Sequence, residues 1–227
     1  MQRIYAYMTV GLSTTGLISW LWANATTDLI INSEGKEELV LTGLGQLFYG
    51  SPLAFIFMIA PLGIILMLGI RIQKMQASTA QNMFWLLCGI YGFSLASLFF
   101  SYTGESLCRA FFIASSTFLG ASLYGYVTKK SLARLGSFLF MGLIGIIIAS
   151  VVNIFLGSTQ MQFIICILGV LIFTGLTAYD TQALKEMYVA GEDGETRVKK
   201  TVMGALRLYL DFINLFIMLL RLFGQRR

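Results

Sequence analysis

The chain has no histidine, two prolines and three cysteines in 227 residues, and only 12% of its residues are charged. Each shortage removes a class of function. Without imidazole there is no histidine base, no histidine metal ligand and no side chain that ordinarily titrates near neutral pH. Cys88, Cys108 and Cys166 lie in or beside apolar segments without C-x-x-C spacing. They read as buried small hydrophobes rather than as a zinc or redox site. Soluble domains carry roughly 25% charge, about twice the proportion here. The net charge of +5 therefore speaks for orientation in a bilayer, not for nucleic acid. No A-x-A-like cleavage site follows a short apolar core, so the first apolar segment is expected to stay as a span.

What the chain does have is apolar length. Hydrophobic residues make up 57% of it, and about 20 such residues in a row cross a bilayer as a helix. The runs predict seven spans: Ile4–Asn24, Phe48–Ile70, Asn82–Phe100, Leu107–Val127, Leu135–Leu156, Met161–Tyr179 and Val202–Leu222. The fold class is all-α, a seven-helix bundle forming one polytopic membrane domain over 1–227. The polar stretches Thr26–Lys36 and Lys185–Lys200 are too short to bury a core of their own. Pro61 removes a backbone hydrogen bond inside the second span and is expected to kink it. The pairs Gly11 and Gly16, Gly89 and Gly92, and Gly142 and Gly145 suit close helix approach.

Charge assigns orientation. Asp28, Glu34, Glu37 and Glu38 make the first loop acidic, and Glu105 lies in the third. Arg71 and Lys74, then Lys129, Lys130 and Arg134, then Lys185, Arg197, Lys199 and Lys200 make alternate loops basic. The positive-inside rule puts those loops and the N-terminus in the cytoplasm. Arg221, Arg226 and Arg227 resist, because a full last span leaves them outside. The last helix either spans despite them, the favoured reading, or is short or re-entrant.

Two aspartates sit at membrane depth. Asp180 closes the sixth apolar run and Asp211 lies inside the seventh. Such a charge costs roughly 2.5–3.5 kcal/mol on insertion scales and marks an ion path, a proton relay or a structural pair. Arg207, Asp211, Asn214, Met218 and Arg221 share a stripe of the last helix, and Phe212, Leu215, Phe216 and Leu219 cover the lipid or packing side. Thr177 lies one residue triplet from Asp180. If both polar faces turn inward, the carboxyls meet and share a proton, because two adjacent carboxylates cannot both ionise cheaply. That is a pH-sensitive latch. Alternatively, Asp211 pairs with Arg207, and Asp180 with Lys185 or Arg71, and the charges only fix helix register. Asn153 and Asn214 read as interhelical hydrogen-bond partners.

The stretch Thr177-Ala-Tyr-Asp-Thr-Gln-Ala-Leu-Lys185, with Leu208-Tyr-Leu-Asp-Phe-Ile-Asn-Leu-Phe216 and Leu219-Leu-Arg221, resembles the transmembrane Bax-inhibitor-motif family in its bacterial branch. The resemblance extends to Tyr124–Gly125 before the Lys129–Lys130 loop and to Asn153-Ile-Phe. It implies seven helices with the last one central and surrounded by the others. It implies a pH-dependent calcium leak gated by a di-aspartyl pair, here Asp180 and Asp211, which would also meet a passing calcium ion. It implies an arginine latch at the end of the second span, for which Arg71 is the match. Arg207, Asn214 and Thr177 would modulate the site. Some members carry a glutamate on the second helix; the corresponding stretch here, Met58-Ile-Ala-Pro-Leu, has no acid.

The expected function is thus a proton-gated calcium leak of a bacterial plasma membrane, with no enzymatic step and no cofactor beyond the calcium ion. A different class is a non-conducting regulator that binds a membrane-embedded protease or another complex through Lys185–Lys200 and the N-terminus. An intramembrane hydrolase is left with an aspartyl-protease-like use of Asp180 and Asp211, and no substrate-binding motif accompanies the acids.

Overall fold

The computed structural model describes residues 1–31, 37–187 and 193–226. Glu34 and Lys36, the side chains of Glu37 and Glu38, the stretch 188–192 of the sixth loop and Arg227 lie outside the described residues. The order is α1 (Gln2–Thr26), β1 (Thr27–Ile31), β2 (Glu37–Leu41), α2 (Gly43–Tyr49), α3 (Leu53–Arg71), a 3₁₀ turn at Ile72–Lys74, α4 (Ala77–Leu95), α5 (Ser97–Ser101), α6 (Gly104–Val127), α7 (Ala133–Leu156), α8 (Thr159–Glu186) and α9 (Gly194–Phe223).

Six of these stretches are long and apolar enough to cross a membrane: Leu53–Lys74, Ala77–Ser101, and helices α6, α7, α8 and α9. Helix α1 has the length but not the hydropathy, because Thr14, Thr15, Ser19 and Asn24 dilute it. Several expected boundaries move. The second span begins at Leu53, not Phe48, since Gly50, Ser51 and Pro52 separate α2 from α3. The third starts five residues earlier and breaks at Ala96. Helix α8 runs on to Glu186, so Asp180 lies within a helix rather than at its end. The acidic first loop is flanked by an antiparallel hairpin, Thr27 opposite Leu41 and Ile31 opposite Glu37. Its short apolar runs lack the alternation that marks a strand in sequence.

The chain divides into two compact units. One comprises Gln2–Tyr102 and Asp193–Met203. Within it α1 packs on α4 through a stripe of small and hydroxyl residues. The Thr15 hydroxyl donates to Cys88 O at 2.9 Å and the Ser19 hydroxyl to Gly92 O at 2.7 Å. A Cβ on Gly92 would come 2.6 Å from Ile18 Cβ, so only glycine allows this approach. Helix α3 runs through Pro61, which cannot donate to Phe57 O four residues back. The Ser94 hydroxyl of α4 donates to that carbonyl at 2.7 Å. The orphan acceptor is satisfied sideways, as apolar surroundings demand.

The other unit comprises Thr103–Glu192 and Gly204–Arg226. Helices α6 and α7 both pack on α8. Gly125 of α6 lies against the Ala178 carbonyl, where an added Cβ would sit 2.1 Å from the oxygen. Gly136 faces the Tyr179 ring and Gly175 faces Leu139. Phe212 of α9 stacks edge-on with Phe111 and Phe118 of α6. Beyond α9, Gln225 N donates to the Ser106 hydroxyl at 3.0 Å and Gln225 O accepts from Thr103 N at 3.2 Å. The end of the chain thus lies beside the start of α6. Helix α9 is continuous from Gly194 to Phe223 and is long and apolar enough to cross a membrane.

Candidate functional site

Asp180 and Asp211 are 5% and 6% exposed. Their carboxyl groups lie within hydrogen-bonding range of each other. Asp180 Oδ1 and Asp211 Oδ2 are buried with no hydrogen-bond partner among the described residues. Arg207 supplies the nearby cation. Its Nη1 lies 3.8 Å from Asp180 Oδ1, and its charge faces both acids. The Arg207 side chain is 43% exposed, so it carries solvent access to an otherwise enclosed pair. At 3.8 Å this is an ion pair, not a hydrogen bond.

The position of α8 fixes the pair. Two residues before Asp180, Ala178 abuts Gly125. One residue after it, the Thr181 and Ser122 hydroxyls share a hydrogen bond of 3.0 Å. Gln182 then clamps the α6–α7 turn: its Oε1 accepts from Leu132 N at 2.7 Å and its Nε2 donates to Lys130 O at 3.0 Å. The acid pair therefore sits in the half of the helices nearer the basic turn 128–132. Ser122 and Gln182 are absent from the sequence reading. The signal available was a glutamine two residues from a membrane aspartate, but its target is backbone of a distant turn.

Other expected residues resolve differently. Lys185 does not pair with Asp180; its Nζ donates to Tyr126 O at 2.8 Å and stands over the Tyr126 ring. Arg207 stands near Asp180 across the helices rather than serving Asp211 alone. Asn214 is not interhelical: its Nδ2 donates to Leu210 O on its own helix at 2.8 Å. The Thr177 hydroxyl is likewise satisfied within α8, by Phe173 O at 2.7 Å. Asn153 does join α7 to α8, through Gln162 Oε1 at 3.3 Å and Ser158 N at 3.1 Å. Of the lipid or packing side of α9, Phe212, Leu215 and Leu219 are buried, which is the packing alternative. Arg71 is exposed at the end of α3, in the unit that does not hold the acids.

Two carboxyls and a guanidinium have limited chemistry. Among the described residues no group of three or more histidine, cysteine or acidic side chains could hold a metal. Calcium takes six to eight oxygens, more than two carboxyl groups supply.

Residues 1–227 match the family described as inhibitor of apoptosis-promoting Bax1. A protein of Rickettsia prowazekii is 44% identical over 100% of this chain and 89% of its own length. The inner membrane protein YbhL of Escherichia coli is 41% identical over 100% of this chain and 92% of its own. A membrane protein of Streptococcus pyogenes is 30% identical over 98% and 91%. With a match along its whole length and six membrane-length apolar helices, this multi-pass membrane protein belongs to the Bax inhibitor-1 family.

Proposed function

We propose that the protein is a proton-gated calcium leak, with Asp180 and Asp211 as sensor and gate. The observation that carries this reading is a buried acid pair with one partly exposed arginine beside it. With one proton shared, the two acids hold one negative charge and Arg207 balances it. The closed site is then electrically neutral at a depth where net charge is costly. Losing the shared proton leaves one buried negative charge in excess. Repulsion loosens α8 from α9 and a cation is drawn in. No bond is made or broken, and no catalytic step is assigned. Calcium is the cargo, not a cofactor.

The reading includes seven spans, with α1 as the first, a cytoplasmic N-terminus and α9 at the centre of one membrane domain. Burial supports the central placement: 61% of the most apolar stretch of α9 is buried, the largest share of the six. Arg71 at the end of α3 is the latch partner in this reading, and Arg207 modulates the acid pair.

The test is calcium flux into proteoliposomes against pH for wild type, Asp211→Asn and Arg71→Ala, each normalised to folded protein. Flux of the wild type rises with pH. Asp211→Asn removes the repelling neighbour of Asp180 and moves the midpoint to lower pH. Arg71→Ala raises flux at low pH by roughly 5- to 150-fold, the range of a coupling of 1–3 kcal/mol. Identical midpoints in all three remove the sensor from these acids. Silence at every pH leaves the non-conducting regulator in its place.

A further inference from the structure

Helices α7 and α8 do not close on each other along their whole length. They meet tightly where Gly136 faces Tyr179 and Gly175 faces Leu139. They also touch at Gly142 and Ile172 and at Asn153 and Gln162, and beside these contacts both helices line an open apolar groove of about 800 Å³. Phe138, Gly142, Gly145 and Ala149 of α7 line it opposite Leu168 and Leu171 of α8. A Cβ on Gly145 would meet nothing within 4 Å, so the groove floor there is empty space and not packed protein.

One end of this groove carries charge and the other does not. Arg134 stands one helical turn from Phe138, and Lys129 and Lys130 lie in the adjoining turn. All three are exposed. None forms an ion pair among the described residues. The turn is held, because Gln182 bonds both Leu132 N and Lys130 O. The far end is lined by Ser158 and Gln160, which are uncharged. The lining runs from Phe138 along α7 to Ser158 and Gln160 in the turn after it, a helical rise of about 30 Å, so the groove reaches across most of a hydrocarbon core.

We propose that this surface is a binding site for an anionic phospholipid. Its phosphodiester headgroup lies among Lys129, Lys130 and Arg134, and an acyl chain lies in the groove over Gly145. Charge complementarity selects the headgroup, and the apolar lining of the groove accepts the chain. Neutral lipids meet the same groove without the ionic contacts and exchange faster. The inference is independent of any conduction by the acid pair.

The test is native mass spectrometry of the full chain released from micelles. The micelles hold equal phosphatidylglycerol and phosphatidylcholine of identical acyl chains. Wild type retains phosphatidylglycerol over phosphatidylcholine by about tenfold or more. The double variant Lys130→Gln, Arg134→Gln loses about fivefold of that preference per charge, from roughly 1 kcal/mol per basic residue near an anionic surface. Gly145→Leu puts a side chain into the groove at a position where a Cβ meets nothing within 4 Å, and lowers retention of both lipids at least severalfold. Gly120→Leu, on an equally open site of α6, leaves retention unchanged. Equal retention of the two lipids by wild type, or a Gly145→Leu protein that binds as wild type does, overturns the proposal. So does displacement of phosphatidylglycerol by millimolar inorganic phosphate, which would mark a free-anion site.

Discussion

Helices α3 and α9 invert the usual relation between hydrophobicity and burial. The Leu53–Lys74 stretch has the higher mean hydropathy, 2.7 against 1.7 for α9, yet 11% of its apolar window is buried against 61%. In water the most apolar helix would go inside. In a bilayer, lipid is as apolar as leucine, so apolar surface gains nothing by leaving it. What must go inside is polarity. Helix α9 carries Asp211, which is 6% exposed, while Arg207 beside the acids reaches the surface. Ile59, Leu62 and Leu66 of α3 stay exposed. Hydropathy therefore reports which helices are in the membrane, and its local failures report which of them are interior.

The largest effect that could break this contrast is packing. Leu215 is fully buried and Leu62 is 58% exposed. Leu215→Ala should cost about 2–5 kcal/mol through the cavity it leaves. Leu62→Ala should stay within about 0.5 kcal/mol. Reversible unfolding in mixed micelles measures both, and equal losses would make α3 an interior helix. Next is charge. Ile59→Asp places a carboxylate on the lipid face without a partner and should cost about 2.5–3.5 kcal/mol of insertion. A glycosylation-mapped insertion assay reads this, and unimpaired insertion would show that α3 faces protein or water.

A smaller effect sharpens the role of Arg207. Arg207→Gln leaves Asp180 without its cation and should destabilise the protein by about 1 kcal/mol, since the arginine is partly exposed and screened. Combining it with Asp180→Asn should recover most of the loss. Failure of the double variant to recover would mean that Arg207 acts by packing alone. The smallest effect lies at the start of α9. Asp193 Oδ2 accepts from Thr196 N at 3.2 Å, which caps the helix. That hydrogen bond holds the Asp193 carboxyl below its ordinary value. A lowered folded-state value stabilises above the unfolded pKa and is lost as pH falls through the folded one. The protection of the amides of residues 194–198, taken relative to their intrinsic exchange rates, should therefore fall on acidification below about pH 4. Asp193→Asn should abolish that pH dependence while keeping the cap, and a persistent dependence would assign it elsewhere.

Much of the site was legible because membrane aspartates are costly and few. Asp180, Asp211 and Arg207 could be singled out by their depth in apolar runs alone. Ser122, Gln182 and Gly125 could not be given their roles, because their partners are a hydroxyl and backbone groups 50 or more residues away. The destinations of Lys185 and Asn214 were also misjudged. Both side chains had several acceptors within reach, and the choice among them depends on helix rotation, which a linear pattern leaves free.

The sequence by itself determined that the chain is helical and lives in a bilayer. Runs of about 20 apolar residues have no other home, and a backbone in lipid must satisfy itself. Tertiary structure decided which helix surfaces face each other. It set Asp180 against Asp211 and Arg207, sent the carbonyl freed by Pro61 to Ser94, and opened a groove at Gly145 but not at Gly92. Between membrane helices, contact is decided by close fit and by polar groups finding partners. Both depend on rotations and distances that exist only once the helices have packed.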